Sequence, residues 1–393
     1  MDKYWVPTLK PDLHYVGSRD WDRRMFDALV PLPEGTTYNS YLIVGEKAVA
    51  LVDTVNPGFE KELLAKVDNI LGDRPIDYVV MNHAEPDHAG SIPAVLKRYP
   101  EATVFATSRG IDMAATYFGV TEEKSHAIAD GETLDLGGKT LRFIEAPMLH
   151  WPETMFTYVE EDRTLLTCDF FGAHTAAGLY SDEDEDYHAK LKRYFGEIMM
   201  PYRRMADRAL GKISDLDIDL IGPSHGPVHR EIEPLMEMYR SWAKGELANK
   251  VLIAYVSMWG STKRMANQMA QSLGSRGVDV RVYDILTTDT GDIARDLVDA
   301  AAIVLGAPTV LSGMHPVGTN AAVLVRALRP PARYAAVLSS HGWSGGAMKQ
   351  VEEVLGTTDL EMVGYIDVKG PATGEVLADV DSLAADLVDR MKG

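Results

Sequence analysis

The chain has 393 residues, too many for one ordinary core, so two domains are expected. Acidic residues outnumber basic ones by 58 to 39, and a formal net charge of -19 argues against nucleic acid or anionic lipid as partners. Hydrophobic content of 46% and charged content of 25% fit a soluble globular protein; no apolar run reaches bilayer length and the N-terminus lacks an apolar signal core, which predicts a cytoplasmic protein with no membrane partner.

In chain order, residues 41–44 and 48–52 read as a hairpin across Gly45-Glu46-Lys47, followed by a helix over 59–71. Residues 76–81 form a short buried strand. It delivers Asn82-His83-Ala84-Glu85-Pro86-Asp87-His88-Ala89-Gly90, with two imidazoles and two carboxylates within six residues. Read as a loop at a strand end, this stretch turns all four side chains inward, which a helix or flat strand would not. A helix over 91–98, a strand over 104–106 and a helix over 110–118 come next. Further strands are expected at 134–136, 141–144 and 155–158. Strands that are short and more numerous than helices predict a sheet sandwich covered by helices. The acidic run 181–186 reads as a solvated loop, 187–212 as helical and 218–223 as a strand.

The pattern changes near 244–249. Val251-Leu252-Ile253-Ala254-Tyr255-Val256 is a continuous apolar run, as in a parallel strand buried on both faces. Helix and strand then alternate: helices at 263–275, 291–299, 317–328, 345–355 and 379–391, strands at 278–282, 301–305, 334–339 and 361–367. This predicts two domains, 1–247 and 248–393, the second a doubly wound parallel sheet.

Three more strand ends of the first domain each offer one metal-type side chain: His150 after 141–144, Asp169 in Leu165-Leu166-Thr167-Cys168-Asp169, and His225 in Pro223-Ser224-His225-Gly226. With His83, Glu85, Asp87 and His88 the set holds four histidines and three carboxylates. That is too many for one zinc, which takes about four ligands, and suits two ions with Asp169 as a bridge. Nitrogen and carboxylate donors without thiolate favour non-haem iron or manganese. The single cysteine, Cys168, excludes an iron–sulfur cluster held by several thiolates of one chain and reads as a small core residue. His14, His126, His188, His229 and His315 read as surface or packed residues. So does His174, although its closeness to Asp169 in sequence makes it a candidate neighbour of the ligands.

In the second domain, Ser257-Met258-Trp259-Gly260-Ser261-Thr262 joins the first buried strand to a helix. Hydroxyls and free N–H groups at a helix N-terminus suit a phosphate. No Gly-x-Gly-x-x-Gly fingerprint is present, which argues against a dinucleotide. Two other strand ends carry Gly306-Ala307-Pro308-Thr309 and Ser339-Ser340-His341-Gly342-Trp343-Ser344-Gly345-Gly346. Ligands of doubly wound sheets sit at such ends, and Trp259 and Trp343 can border a flat ring. FMN is the expected ligand, with Ser257, Met258, Trp259, Gly260, Ser261, Thr262, Pro308, Thr309, Ser339, His341, Gly342, Trp343, Gly345 and Gly346 as candidate contacts.

The strand-end loops of the first domain resemble the metallo-β-lactamase fold, an αββα sandwich whose zinc hydrolases carry His-x-His-x-Asp-His. Here Glu85 stands at the second histidine. With His150, Asp169 and His225, that replacement is similar to the flavodiiron proteins, and the likeness covers nearly the whole chain, because a flavodoxin-like domain follows in that family. The resemblance implies one iron on His83, Glu85 and His150, another on Asp87, His88 and His225, and Asp169 between them. It implies reduction of dioxygen to water or of nitric oxide to nitrous oxide. Electrons would come through FMN from an external rubredoxin-like protein or a reduced deazaflavin coenzyme. It also implies a head-to-tail homodimer, or a dimer of such dimers. Leu311 departs from the family, where an asparagine often meets the flavin. The competing readings are a metal-dependent hydrolase fused to a flavodoxin-like module, and an electron carrier with a structural metal site.

Overall fold

A computed structural model describes residues 4–392. The chain divides into two compact units, one running to Phe195 and resuming over Tyr202–Arg240, the other comprising Gly196–Pro201 and the chain from Ser241 onward.

The first unit is built on two sheets. The larger has the strand order Thr8–Lys10, Leu13–Tyr15, Tyr41–Val44, Val49–Val52, Tyr78–Val80, Thr103–Ala106 and Ser125–Ala127. The smaller runs Thr133–Asp135, Thr140–Glu145, Met155–Val159, Thr164–Cys168 and Leu220–Pro223. Side chains on a strand alternate between its faces, and the hairpin shows the result. Leu42, Val49 and Leu51 pack with Leu63 and Val67 of the helix Glu60–Leu71, while Tyr41, Ile43, Ala50 and Val52 pack with Leu141, Phe143 and Met155 of the other sheet. This is the sandwich expected from the sequence. The opening strands Thr8–Lys10, Leu13–Tyr15, Ser18–Asp20 and Thr36–Tyr38 were not anticipated; each is three residues long with at least one polar side chain, too short to show a period.

One expectation is corrected. Residues 82–90 are not all loop: Pro86–Ala89 form a single helical turn, with Pro86 in its first turn, where proline's missing N–H costs nothing. One turn is short enough to aim Asp87 and His88 into the site, so the exclusion of helix was wrong. Residues 187–212 are helical as expected, though not as one continuous α-helix. Tyr187–Tyr194 and Arg203–Lys212 are separated by a wide turn at Phe195–Met199 and a tight one at Met200–Tyr202, where Pro201 cannot donate to the helical ladder. The helix Ile232–Lys244 was missed.

The second unit is a five-stranded sheet in the order Asp279–Asp284, Ala248–Tyr255, Ala300–Gly306, Tyr334–His341, Glu361–Lys369, every pair parallel. Helices Ser261–Ser275 and Gly374–Lys392 lie together on one face, where Met265, Met269, Leu383 and Leu387 bury against Val251, Ile253 and Val304. Among the described residues no helix is long and apolar enough to cross a membrane.

Candidate metal centre and flavin pocket

The seven expected ligand side chains come together. Nε2 of His83 and of His150 lie 3.2 and 3.1 Å from Glu85 Oε2, and 3.4 and 3.5 Å from Asp169 Oδ2. Nε2 of His88 and of His225 lie 3.1 and 3.5 Å from the other oxygen of the same carboxylate, Asp169 Oδ1. Asp87 completes that side, 3.4 Å from His88 and 3.1 Å from His225. Asp169 thus turns one oxygen to each of two donor groups. Each group gathers its donor atoms within 4.8 Å of one another.

The donor set fits a pair of cations. Both oxygens of Asp87, both nitrogens of His88, Asp169 Oδ2 and His225 Nε2 are buried and make no aligned hydrogen bond. Buried polar atoms without partners are rare in proteins. Here one donor atom from each of these residues joins a cluster in which charged or ligating groups face one another. The electrostatics agree. Burial disfavours charge on His83, yet its hydrogen bonds to Glu153 and Glu85 raise its pKa to about 10. His150 is likewise raised to about 10 and His88 to about 9, against burial, by Asp169 with Glu85 and by Asp87 with Asp169 respectively. Burial pushes Asp169 up, but His88, His150 and His83 hold it well below the usual carboxylate range. The cluster draws positive charge inward.

The backbone delivers these groups from unusual conformations. Met148, two residues before His150, and Cys168, directly before Asp169, have φ of 67° and 51°. Left-handed backbone at non-glycine residues is costly and clusters at functional sites. After His225, Gly226 has φ of 77°, and a Cβ there would lie 2.5 Å from the Ala173 carbonyl oxygen. Cys168 is buried beside His88 and Asp169, and burial pushes its thiol well up, so it stays neutral.

Three orienting groups escaped the sequence reading. Glu153, 2% exposed, accepts from His83 Nδ1 at 2.7 Å and from the Ala84 N–H at 2.9 Å. The Tyr194 hydroxyl donates to Asp169 Oδ1 at 2.9 Å. The Thr37 carbonyl accepts from His225 Nδ1 at 2.6 Å. Such partners fix ring orientation and tautomer. Only Glu153 gave a signal, as a carboxylate three residues after His150. His174 sits beside the ligands, its ring 4.8 Å from that of His225, and burial holds it neutral, its pKa well below the usual imidazole value. Of the others, His229 donates to the Phe171 carbonyl and His315 caps the helix Pro316–Leu328. The acidic run is pinned by Asp182–Arg230 and Asp184–Lys190 ion pairs.

The second unit carries a cavity of about 730 Å³. Met258, Trp259, Ser261, Pro308, Thr309, His341, Gly342 and Trp343 line it as expected. Ser257, Gly260, Thr262, Ser339, Gly345 and Gly346 do not. Thr262 and Ser339 are buried behind the wall, and the Gly346 N–H braces the lining Thr309 hydroxyl at 3.2 Å. Val310, Leu311, Ser312, Ser340, Ser344, Gly370 and Pro371 complete the wall. Trp259, Leu311 and Trp343 are about nine-tenths exposed, at 92%, 93% and 89%, so three large apolar side chains frame the mouth. A flat, partly apolar ligand with a phosphate at the N-terminus of Ser261–Ser275 fits this shape.

The fold and the two sites define a metallo-β-lactamase-like domain with a dinuclear donor set, joined to a flavodoxin-like domain. Comparison with known proteins agrees. Residues 36–226 match the ODP family beta lactamase and residues 253–390 match Flavodoxin. A nitric oxide reductase of Moorella thermoacetica is 36% identical, over 89% of this chain and 90% of its own length. A coenzyme F420H(2) oxidase of Methanothermobacter marburgensis is 33% identical over 93% of each. Rubredoxin oxygen:oxidoreductase of Desulfovibrio gigas superposes with a TM-score of 0.95 at 29% identity, over 99% of both chains. The chain belongs to the flavodiiron proteins, and it is an oxidoreductase.

Proposed function

We propose that the chain reduces dioxygen to water, nitric oxide to nitrous oxide, or both. A diiron domain over residues 1–247 holds one iron on His83, Glu85 and His150 and the other on Asp87, His88 and His225, with Asp169 shared. A domain over 248–393 holds FMN, its phosphate at the 257–262 turn and its ring system among Trp259, Leu311 and Trp343. The observation that carries the reading is the division of Asp169, one carboxylate oxygen toward each donor group. Glu85 supports iron chemistry over hydrolysis, because its carboxylate joins the first donor group where zinc hydrolases have an imidazole.

When bound, FMN would supply a carrier for electrons from an external donor and the iron pair a centre for reducing the gas, which takes four electrons and four protons for dioxygen and two of each for a pair of nitric oxide molecules. The chain's own residues set the stage. Glu153 accepts a hydrogen bond from the Nδ1–H of His83, so Nε2 is the atom aimed into the site. The Thr37 carbonyl does the same for His225. The Tyr194 hydroxyl tempers the charge on Asp169 Oδ1 without competing for its other oxygen. Phe26 packs on His174 and His225, with ring centroids at 4.9 and 5.8 Å, and keeps bulk water from that side.

The relatives' names include both expected donors, rubredoxin in one and coenzyme F420H(2) in another. Both support an external donor, a rubredoxin-like protein or a reduced deazaflavin coenzyme. We infer as well a cytoplasmic protein that pairs head to tail, alone or as a dimer of dimers. The test is direct. Iron and FMN are measured per chain, and each gas is offered with each donor. The expected result is two irons and one FMN, and loss of reduction in Asp169→Ala with an unchanged circular dichroism spectrum. A zinc pair in protein matured with ample iron, or a colourless second domain that FMN does not restore, would overturn the proposal.

A further inference from the structure

The cavity assigned above to FMN contains one imidazole, and the inference rests on that assignment. His341 ends the strand Tyr334–His341. Adjacent strand residues face opposite ways. Ser340 turns toward the helix Ser261–Ser275, where its hydroxyl meets that of Thr262 at 3.2 Å. His341 turns to the other side, away from the hydroxyl-rich turn suited to phosphate. There its Nδ1 lies 2.9 Å from Asp367 Oδ1, on the neighbouring strand Glu361–Lys369. A carboxylate only accepts, so Nδ1 carries the hydrogen and Nε2 is left free to gain or lose a proton.

Gly345 makes room for this pair. A Cβ at that position would lie 2.2 Å from Asp367 Oδ2 and 3.4 Å from His341 Nδ1. Few other charges face the imidazole. Lys369, in register with His341, and Lys349 of the helix Ala347–Leu355 are exposed. The strand on the other side, Ala300–Gly306, has no titratable side chain. The Tyr365 hydroxyl near Asp367 is pushed up to about 12 by burial and then by Asp367, so it stays neutral.

We propose that His341, positioned by Asp367, is the charge partner of the flavin: it takes a proton from solvent as the flavin accepts electrons and so holds reduced FMN more tightly than oxidised FMN. The step balances. The external donor gives two electrons, one proton bonds to the ring system, and a second goes from water to His341 Nε2. The negative charge gained by the ring meets the positive charge gained by the imidazole. Asp367 keeps its charge, and the Nδ1 hydrogen stays in place.

The test is FMN binding rather than turnover. Full-length protein stripped of FMN is titrated with oxidised FMN and, under argon, with dithionite-reduced FMN, at about pH 6 and about pH 8. His341→Gln should lower the ratio of reduced to oxidised affinity about tenfold at the lower pH, about 30 mV for a two-electron couple. The gap between wild type and variant should shrink at the higher pH. Asp367→Asn, and Gly345→Ala, which crowds the carboxylate and leaves the imidazole, should shift the ratio the same way. If the variants keep their fold by circular dichroism and lose both affinities equally, or leave the ratio unchanged, the pair only braces the loop and the proposal is overturned. If wild-type protein binds no FMN, the cavity assignment itself falls, and that is seen before any variant is made.

Discussion

Glu153→Gln tests whether the metal centre depends on side chains that touch no metal. Glu153 is almost wholly buried and accepts two hydrogen bonds, from His83 Nδ1 at 2.7 Å and from the Ala84 N–H at 2.9 Å. Glutamine keeps the shape and one acceptor oxygen but removes the charge. A hydrogen bond to a charged group contributes roughly 1 kcal/mol more than a neutral one. Two such bonds weakened together amount to about 2 kcal/mol, or roughly thirtyfold in an equilibrium constant, which lies within the about 10- to 100-fold expected for an orienting partner of a metal-bound histidine. The amide can also turn its NH₂ toward Nδ1, which forces the hydrogen onto the atom needed for the metal. We expect iron to leave the variant about thirtyfold more readily. The assay is anaerobic competition with a chelator, read as irons retained per chain, alongside circular dichroism. Retention within about twofold of wild type, in a folded variant, would refute the claim that Glu153 holds His83 in its ligating form.

Other consequences are equally open to measurement. His229 is buried, donates to the Phe171 carbonyl at 2.9 Å, and burial lowers its pKa to about 4. An unfolded chain takes up that proton near the ordinary value of 6.5. The folded state therefore binds fewer protons between the two values, and stability falls as pH drops through that window, by up to about 3 kcal/mol from this group. Urea midpoints should show the advantage of wild type over His229→Gln narrowing from about pH 6.5 to about pH 4, and a constant gap would contradict it. Gly222→Ala should destabilise the first unit by about 1–3 kcal/mol, because the new Cβ would sit 2.8 Å from Leu166 Cδ2 and from the Tyr41 ring; an unchanged melting temperature would show that both side chains can yield. If the homodimer places the FMN of one chain against the metals of the other, a mixed dimer of Asp169→Ala with a chain bearing bulky acids at Ser261 and Thr262 should regain activity that neither parent has. Tagged heterodimers no more active than the parents would exclude that route.

The donor cluster was legible because its members stand at or just past the ends of short apolar strands. His83, His150, Asp169 and His225 could be found one by one, and their number alone argued for two ions. What holds them was not legible. Glu153, Tyr194 and the Thr37 carbonyl act on residues 70, 25 and 188 positions away, and apart from the place of Glu153 three residues after His150 nothing local distinguishes them. The flavin pocket shows the same divide. Three of its loops carry glycine, hydroxyls or tryptophan and stood out; Gly370-Pro371 enters only because the strand Glu361–Lys369 closes the parallel sheet beside Tyr334–His341. The helical turn at Pro86–Ala89 was misjudged because composition marks a strand end without saying how tightly the chain turns there.

The seven donor side chains come from both halves of the sandwich. His83 to His88 follow the strand Tyr78–Val80 of the larger sheet, while His150, Asp169 and His225 follow strands of the smaller one. Ions bound there act as rivets between two layers otherwise joined by apolar packing. Binding to the folded state alone stabilises it by about 2.7 kcal/mol when free metal exceeds the dissociation constant a hundredfold. Iron supply then governs how long the chain survives as well as how fast it works. Protein made under iron starvation should melt earlier and be degraded sooner by proteases than the same chain loaded with metal, even in an assay where no gas is reduced.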